Sequence, residues 1–170
     1  MFVGLLLFAS TVAGQGESDG AKETTDADAY VRGMTRPTNL VILGCYRTFR
    51  AAEADARKFS RRLGLTYDSR DMVFDPMRGL ILREDHPDEM YAGEYVLRRY
   101  GWRLSGSDAN ESYISIEKSS AYTGLRRGYY IIVADIDPDP AIARSLARKF
   151  ASVAPGAYAK RTEIYYGCMH

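Results

Sequence analysis

Two passages of the chain each run from an aliphatic stretch into an amphipathic helix and out again through glycine. This duplication restricts the fold more than any other feature. The first passage opens with Asn39-Leu40-Val41-Ile42-Leu43-Gly44, a short apolar run closed by glycine, which predicts a buried strand. Thr48 stands as a helix N-cap, and Ala52, Ala56, Phe59 and Leu63 follow at spacings of four, three and four, on one helical face. Arg57, Lys58, Arg61 and Arg62 fill the other face, cations in the last turn suit the helix dipole, and Gly64 supplies the stop. The second passage predicts a strand over 129–136, then Asp139 as cap with Pro140 at the first helical position. Ile142, Leu146, Phe150 and Val153 are its expected core stripe, Pro155-Gly156 its stop, and 157–167 the last strand. The predicted helices share Ala56-Arg57-Lys58-Phe59 and Ala147-Arg148-Lys149-Phe150, the mark of a weak internal repeat.

Between the two passages the signals are shorter. Met72 and Phe74, then Leu80 and Leu82, alternate around Asp75-Pro76 and Gly79, which reads as two short strands or one bulged strand. Asp88 can cap a helix running to about Tyr100, with Met90, Tyr91, Tyr95, Val96 and Tyr100 as its apolar positions. Residues 103–111 read as a loop, Tyr113, Ile114 and Ile116 begin a strand, and Thr123-Gly124 and Gly128 mark a turn region. The whole order predicts an α+β domain of split β-α-β type: a ferredoxin-like antiparallel sheet, helices on one face, and an inserted helix.

The N-terminal stretch differs in kind. Phe2, Val3, Leu5, Leu6, Leu7 and Phe8 form an uncharged apolar run followed by Ala9, Ser10, Ala13 and Gly14, the layout of a signal-peptide core leading to a cleavage site before Gln15. The run is too short to span a bilayer, and no Lys or Arg precedes it. The domain organisation expected is a signal peptide over 1–14, a flexible leader over 15–36, and a single α+β domain over 37–170, built from two βαβ repeats. Periplasmic or extracellular localisation follows, with no transmembrane span in the mature chain.

The formal net charge of +1 provides no global field for nucleic acid. Cys45 and Cys168 are the only cysteines, and an even count in an exported chain favours a disulfide. In a split β-α-β sheet, however, the first and last strands are antiparallel neighbours with C-terminal ends at opposite edges. Pairing then requires a bent strand, a different topology, or a bridge between two chains.

No catalytic constellation stands out. Asp135, Asp137 and Asp139 alternate as in a calcium loop, but Pro138 and Pro140 interrupt them, and a strand end followed by an Asp cap explains them better. His86 sits among Glu84, Asp85, Asp88 and Glu89, a solvated turn rather than a metal site. Neither of the two histidines neighbours a nucleophile-elbow serine. No metal or cofactor is expected. A carboxylate-dependent hydrolase using Asp85 or Glu94 is the enzymatic alternative. Asn110-Glu111-Ser112 would accept a glycan only in a eukaryotic secretory pathway.

The unusual feature is 13 tyrosines, crowded into the second half among arginines. Tyrosine doublets in strands put one ring on each sheet face. Some rings must be core; the rest can stack on a sugar or peptide while arginine supplies bidentate donors. Tyr129, Tyr130, Tyr165, Tyr166, Arg126 and Arg127 are the candidate ligand-binding residues.

Val41-Ile42-Leu43-Gly44-Cys45-Tyr46 with the helix containing Glu53-Ala54-Asp55-Ala56 resembles the first strand and helix of the sporulation-related repeat (SPOR) family. The 130–133 strand, the 141–153 helix and Ile164-Tyr165-Tyr166-Gly167 resemble its second half. The resemblance implies a split β-α-β fold and a non-catalytic domain binding the glycan strands of peptidoglycan. The sequence departs from the family where Ile42 replaces a polar Gln, Cys45 a Ser, and Ala134 a Gly. The expected partner is thus a glycan polymer, with an envelope or secreted-assembly protein as the alternative.

Overall fold

The computed structural model describes residues 26–69, 71–87, 89–97 and 112–165. A short helix α1 (Asp26–Met34) leads into the long strand β1 (Thr35–Tyr46), which is followed by α2 (Phe49–Leu63) and a two-residue strand β2 (Thr66–Tyr67). A hairpin of β3 (Met72–Asp75) and β4 (Gly79–Leu82) precedes β5 (Tyr113–Lys118), β6 (Tyr130–Asp137), α3 (Pro140–Phe150) and β7 (Tyr158–Tyr165). The main sheet has the order β2-β5-β6-β1-β7. All its pairings are antiparallel except the short β2–β5 contact. Strands β5-β6-β1-β7 with α2 and α3 make the split β-α-β arrangement that the duplicated passages predict. Among the described residues no helix is long and apolar enough to cross a membrane.

Both long helices lie on one sheet face. Val41, Leu43, Ile114, Ile116, Ile132 and Ala134 meet Ala52, Ala56 and Phe59 of α2 and Ala143, Ala147, Phe150 and Ala154 from α3 and its exit. Alanines at the contact let each helix axis approach the sheet closely, and the phenylalanines fill the space left between. The helix ends follow local chemistry. Thr48 Oγ1 accepts from Ala51 N, Asp139 Oδ1 accepts from Ala141 N at 2.7 Å, and Gly64 closes α2 at φ +68°.

The buried stripe of α3 is Ala143, Ala147 and Phe150, continued by Ala154, and not the expected Ile142, Leu146, Phe150 and Val153. Ile142 is 48% exposed, and Leu146 and Val153 only flank the core. The helix is rotated so that the small side chains face the sheet, at the same spacing as Ala52, Ala56, Phe59 and Leu63 in α2.

The opposite sheet face is apolar as well. Leu40, Ile42, Ile131, Val133 and Ile164 are buried there with Tyr122, and Leu97 and Leu125 pack against them. An open, tyrosine-bearing sheet face is therefore not what the strands present. The segment inserted between the repeats also differs from expectation. The hairpin forms two short strands, as one reading proposed, but 89–97 runs through turns instead of the predicted helix. Gly93 adopts φ +78° and its N–H bonds Leu82 O, while Leu82 N bonds Glu94 O, so this stretch docks backbone-to-backbone on the end of β4. At the N-terminal side, α1 and the first residues of β1 occupy the part of the expected leader that is described. The expected signal peptide, the rest of the leader, Asn110, Tyr166 and Cys168 lie outside the described residues.

Candidate functional site

Where β1 ends and β6 begins, Tyr46 lies opposite Tyr130, with Arg47 and Tyr129 the next residues outward. The β1–β6 register slips at Val41/Ile42 and again at Ile42/Gly44. Gly44 is required here. A Cβ on it would stand 2.7 Å from the Tyr46 ring, which folds back over it to donate a 2.7 Å hydrogen bond to Asp55 Oδ2. Burial and the Asp55 contact push the Tyr46 phenol far above its ordinary pKa, so it stays a donor.

Tyr129 is the centre of the cluster. Its backbone is clamped to Ser119: Ser119 N donates to Tyr129 O at 2.9 Å, and Tyr129 N donates to Ser119 Oγ at 3.0 Å. The Arg47 guanidinium carbon lies 4.4 Å from the ring centroid and that of Arg126 lies 5.8 Å away. Arg47, Arg126 and Arg127 are all exposed, and none forms an ion pair with a described residue. The result is a half-buried aromatic ring with guanidinium groups around it and their donors still available.

Tyr130 turns the other way. It meets Phe49 and Phe74 edge-on, at 5.8 and 6.2 Å, while Phe49 and Phe74 stack at 5.0 Å with an interplanar angle of 4°. Gly79, at φ +79°, lets the hairpin pass over it, because a Cβ there would lie 2.9 Å from Tyr130 Oη. Tyr130 thus glues the hairpin to the sheet, and burial raises its pKa. The hairpin turn is tied by Asp75 Oδ1, which accepts from Met77 N and Arg78 N at 2.8 Å each, and by an Arg78–Glu84 ion pair. Met77 at its tip is 93% exposed, and Val73 and Phe74 are also exposed.

Beneath the hairpin, Glu117 is a fully buried carboxylate whose Oε2 accepts from Tyr95 Oη at 2.7 Å. Tyr95 Oη accepts from Lys118 N at 3.1 Å, and Lys118 Nζ sits over the Tyr95 ring and donates to Arg78 O. Burial raises the Tyr95 pKa well above the usual phenol value and lowers that of Lys118.

The structure therefore brings Arg126, Arg127, Tyr129 and Tyr130 to one end of the sheet and separates Tyr165 from them. Tyr165 pairs with Thr35 at the far end of β1. Arg47, Phe49 and Glu117 were not singled out from the sequence, and Phe74 was read only as a strand position. For Glu117 a signal existed: Ser115 and Glu117 alternate with Ile114 and Ile116, and a sheet apolar on both faces must bury both sets. The aspartate run is structural. Asp135 accepts from Ser112 Oγ at 2.6 Å, Asp137 from Asp139 N, and Asp139 caps α3. Asp85 lies in an exposed ion pair with Arg83, and Glu94 occupies the turn against β4.

A disulfide within the chain conflicts with the register. Cys45 is a free, exposed thiol, its Sγ 3.3 Å from Tyr158 Oη. Tyr165 pairs with Thr35, ten residues from Cys45 along β1, or roughly 30 Å at strand rise. The described end of β7 thus lies far from Cys45, which carries no disulfide.

Comparison with protein-family models, with curated proteins and with solved structures yields no match to this chain.

Proposed function

We propose that the chain is an exported, non-catalytic binding module that holds a cell-wall glycan at the Tyr129 end of its sheet. The observation carrying this reading is the Tyr129 ring, held rigidly between Arg47 and Arg126 with their donors free. A sugar ring stacks on such an aromatic face, and guanidinium groups recognise the carboxylates that peptidoglycan carries. The likeness to SPOR repeats supports the same ligand class. Here, though, the ligand meets the strand ends, because the helix-free face is filled by Leu40, Ile42, Ile131 and Val133. The apolar leader supports export.

The test is cosedimentation of the purified chain with cell-wall sacculi. Wild type is expected in the pellet, and Tyr129→Ala and Arg126→Gln to fall several-fold while retaining wild-type circular dichroism. Failure of the wild type to sediment refutes the reading.

A second reading, a protein-interaction component of the envelope or of a secreted assembly, is favoured by the exposed Val73, Phe74 and Met77 of the hairpin. Recovery of a stoichiometric protein partner, lost on Met77→Asp, together with silence on glycan arrays would select it.

A further inference from the structure

At the opposite end of the sheet from Tyr129, a cleft of ≈ 520 Å³ opens between the start of α3 and the first residues of β1, and it serves none of the contacts described above. We infer that this cleft is a second, separate ligand site, for an oxyanion (a carboxylate or phosphate group) held by Arg144 of α3 and Arg161 of β7.

Pro37, Pro138 and Pro140 form much of its wall. Proline offers no N–H and a fixed φ, so these walls are stiff and donate nothing. Asn39 at its base is 93% buried by its neighbours, being only 7% exposed. Its side-chain amide donates to Asp137 O at 3.0 Å and Pro138 O at 3.2 Å, which locks the β6–α3 junction onto β1. The cleft is thereby shaped before any ligand arrives.

The charged groups lining this cleft are Arg144 and Arg161. Asn39 and Arg161 are direct partners across β1–β7, and Arg144 stands one turn into α3 from Pro140. Neither guanidinium makes a hydrogen bond or ion pair with a described residue, so each retains its full set of donors. The neighbouring carboxylates each accept a backbone N–H and pair with neither arginine: Asp137 Oδ1 accepts from Asp139 N and Asp139 Oδ1 from Ala141 N, each at 2.7 Å. Two free planar donors lining one rigid concavity match an oxyanion better than a neutral or cationic group.

The experiment is calorimetric titration of the full chain with inorganic phosphate, and separately with succinate, at constant ionic strength. Saturable binding that depends on Arg144 and Arg161 is expected. Arg144→Gln and Arg161→Gln are each expected to weaken it by about tenfold or more, the value of a charge-assisted hydrogen bond. Both residues are exposed or surface-lining, and unchanged thermal unfolding verifies that the variants fold. Arg148→Gln removes the same charge from the same helix outside the cleft and should leave binding intact. Phosphate without succinate binding identifies a phosphate site, the reverse a carboxylate site. Absence of saturable binding by either anion, or equal loss in Arg148→Gln, overturns the proposal. Because the variants are disjoint from those at Tyr129, either site can fail alone.

Discussion

Thr38 lies directly opposite Thr162 across the β1–β7 pair, both are buried, and only Thr162 makes a side-chain hydrogen bond, its Oγ1 donating to Thr123 O at 3.0 Å. Thr38 Oγ1 is buried with no hydrogen-bond partner. A hydroxyl buried in that state costs about 1–3 kcal/mol. Thr38→Val keeps the shape and removes the cost, so it is expected to stabilise the protein by about 1 kcal/mol. Thr162→Val, which abandons Thr123 O, is expected to destabilise by a similar amount. Urea unfolding of the two variants checks both signs. Equal effects on the two would mean that the hydrogen bond makes no difference.

Tyr95→Phe removes the phenol that Glu117 and the Lys118 amide share. The expected loss is about 1–3 kcal/mol, because the buried carboxyl forfeits a donor and the amide an acceptor. A Tyr129→Phe control, at a half-buried ring whose phenol makes no hydrogen bond with a described residue, should change stability by less than about 0.5 kcal/mol. Chemical denaturation with a common m-value decides the matter.

Several phenols make the fold sensitive to alkali. Burial pushes Tyr67 up to about 12 and raises Tyr95 and Tyr46 as well. A raised folded pKa means that the folded state holds its proton more tightly. The contribution is complete below the unfolded pKa near 10 and is lost as pH rises towards 12 and beyond. Phenolate absorbance is expected to rise in two phases, exposed rings first and the buried ones together with loss of circular dichroism. A single phase with folding intact throughout would contradict the assigned burial.

The rotated stripe of α3 makes a prediction opposite to that of the sequence periodicity. Ile142→Ser should change stability by no more than about 0.5 kcal/mol, as at an exposed position. Ala147→Leu should cost about 1–3 kcal/mol by overpacking the close helix–sheet contact. Thermal unfolding of the pair distinguishes the two helix orientations directly.

Cys45 is expected to react with a thiol reagent in the native protein, since it is exposed and unbridged. Reductant should leave the melting temperature of the monomer unchanged, because no intrachain bridge restrains its unfolded state. Peptide mapping that finds Cys45 joined to Cys168 in a folded monomer would contradict the β1–β7 register.

The α+β class, the two long helices, their Thr48 and Asp139 caps, the Gly64 stop and the strands that flank them are legible in the local sequence. All of these depend on neighbours a few residues apart: side-chain period, cap oxygens, and glycine at positive φ. Which stripe of α3 faces inward is set by packing, because Ile142 and Ala143 both satisfy a helical period and the closeness of sheet and helix selects the smaller. Packing also decides that both sheet faces are covered and that Tyr129 and Tyr130 part company, one towards Arg47 and Arg126, the other beneath the Phe49–Phe74 stack. The separation of Cys45 from the end of β7 is likewise a matter of register. The arginine-lined cleft joins residues from β1, the β6–α3 turn, α3 and β7. Contacts between segments so far apart in the chain are set by packing and strand register, and no local pattern of side chains encodes them.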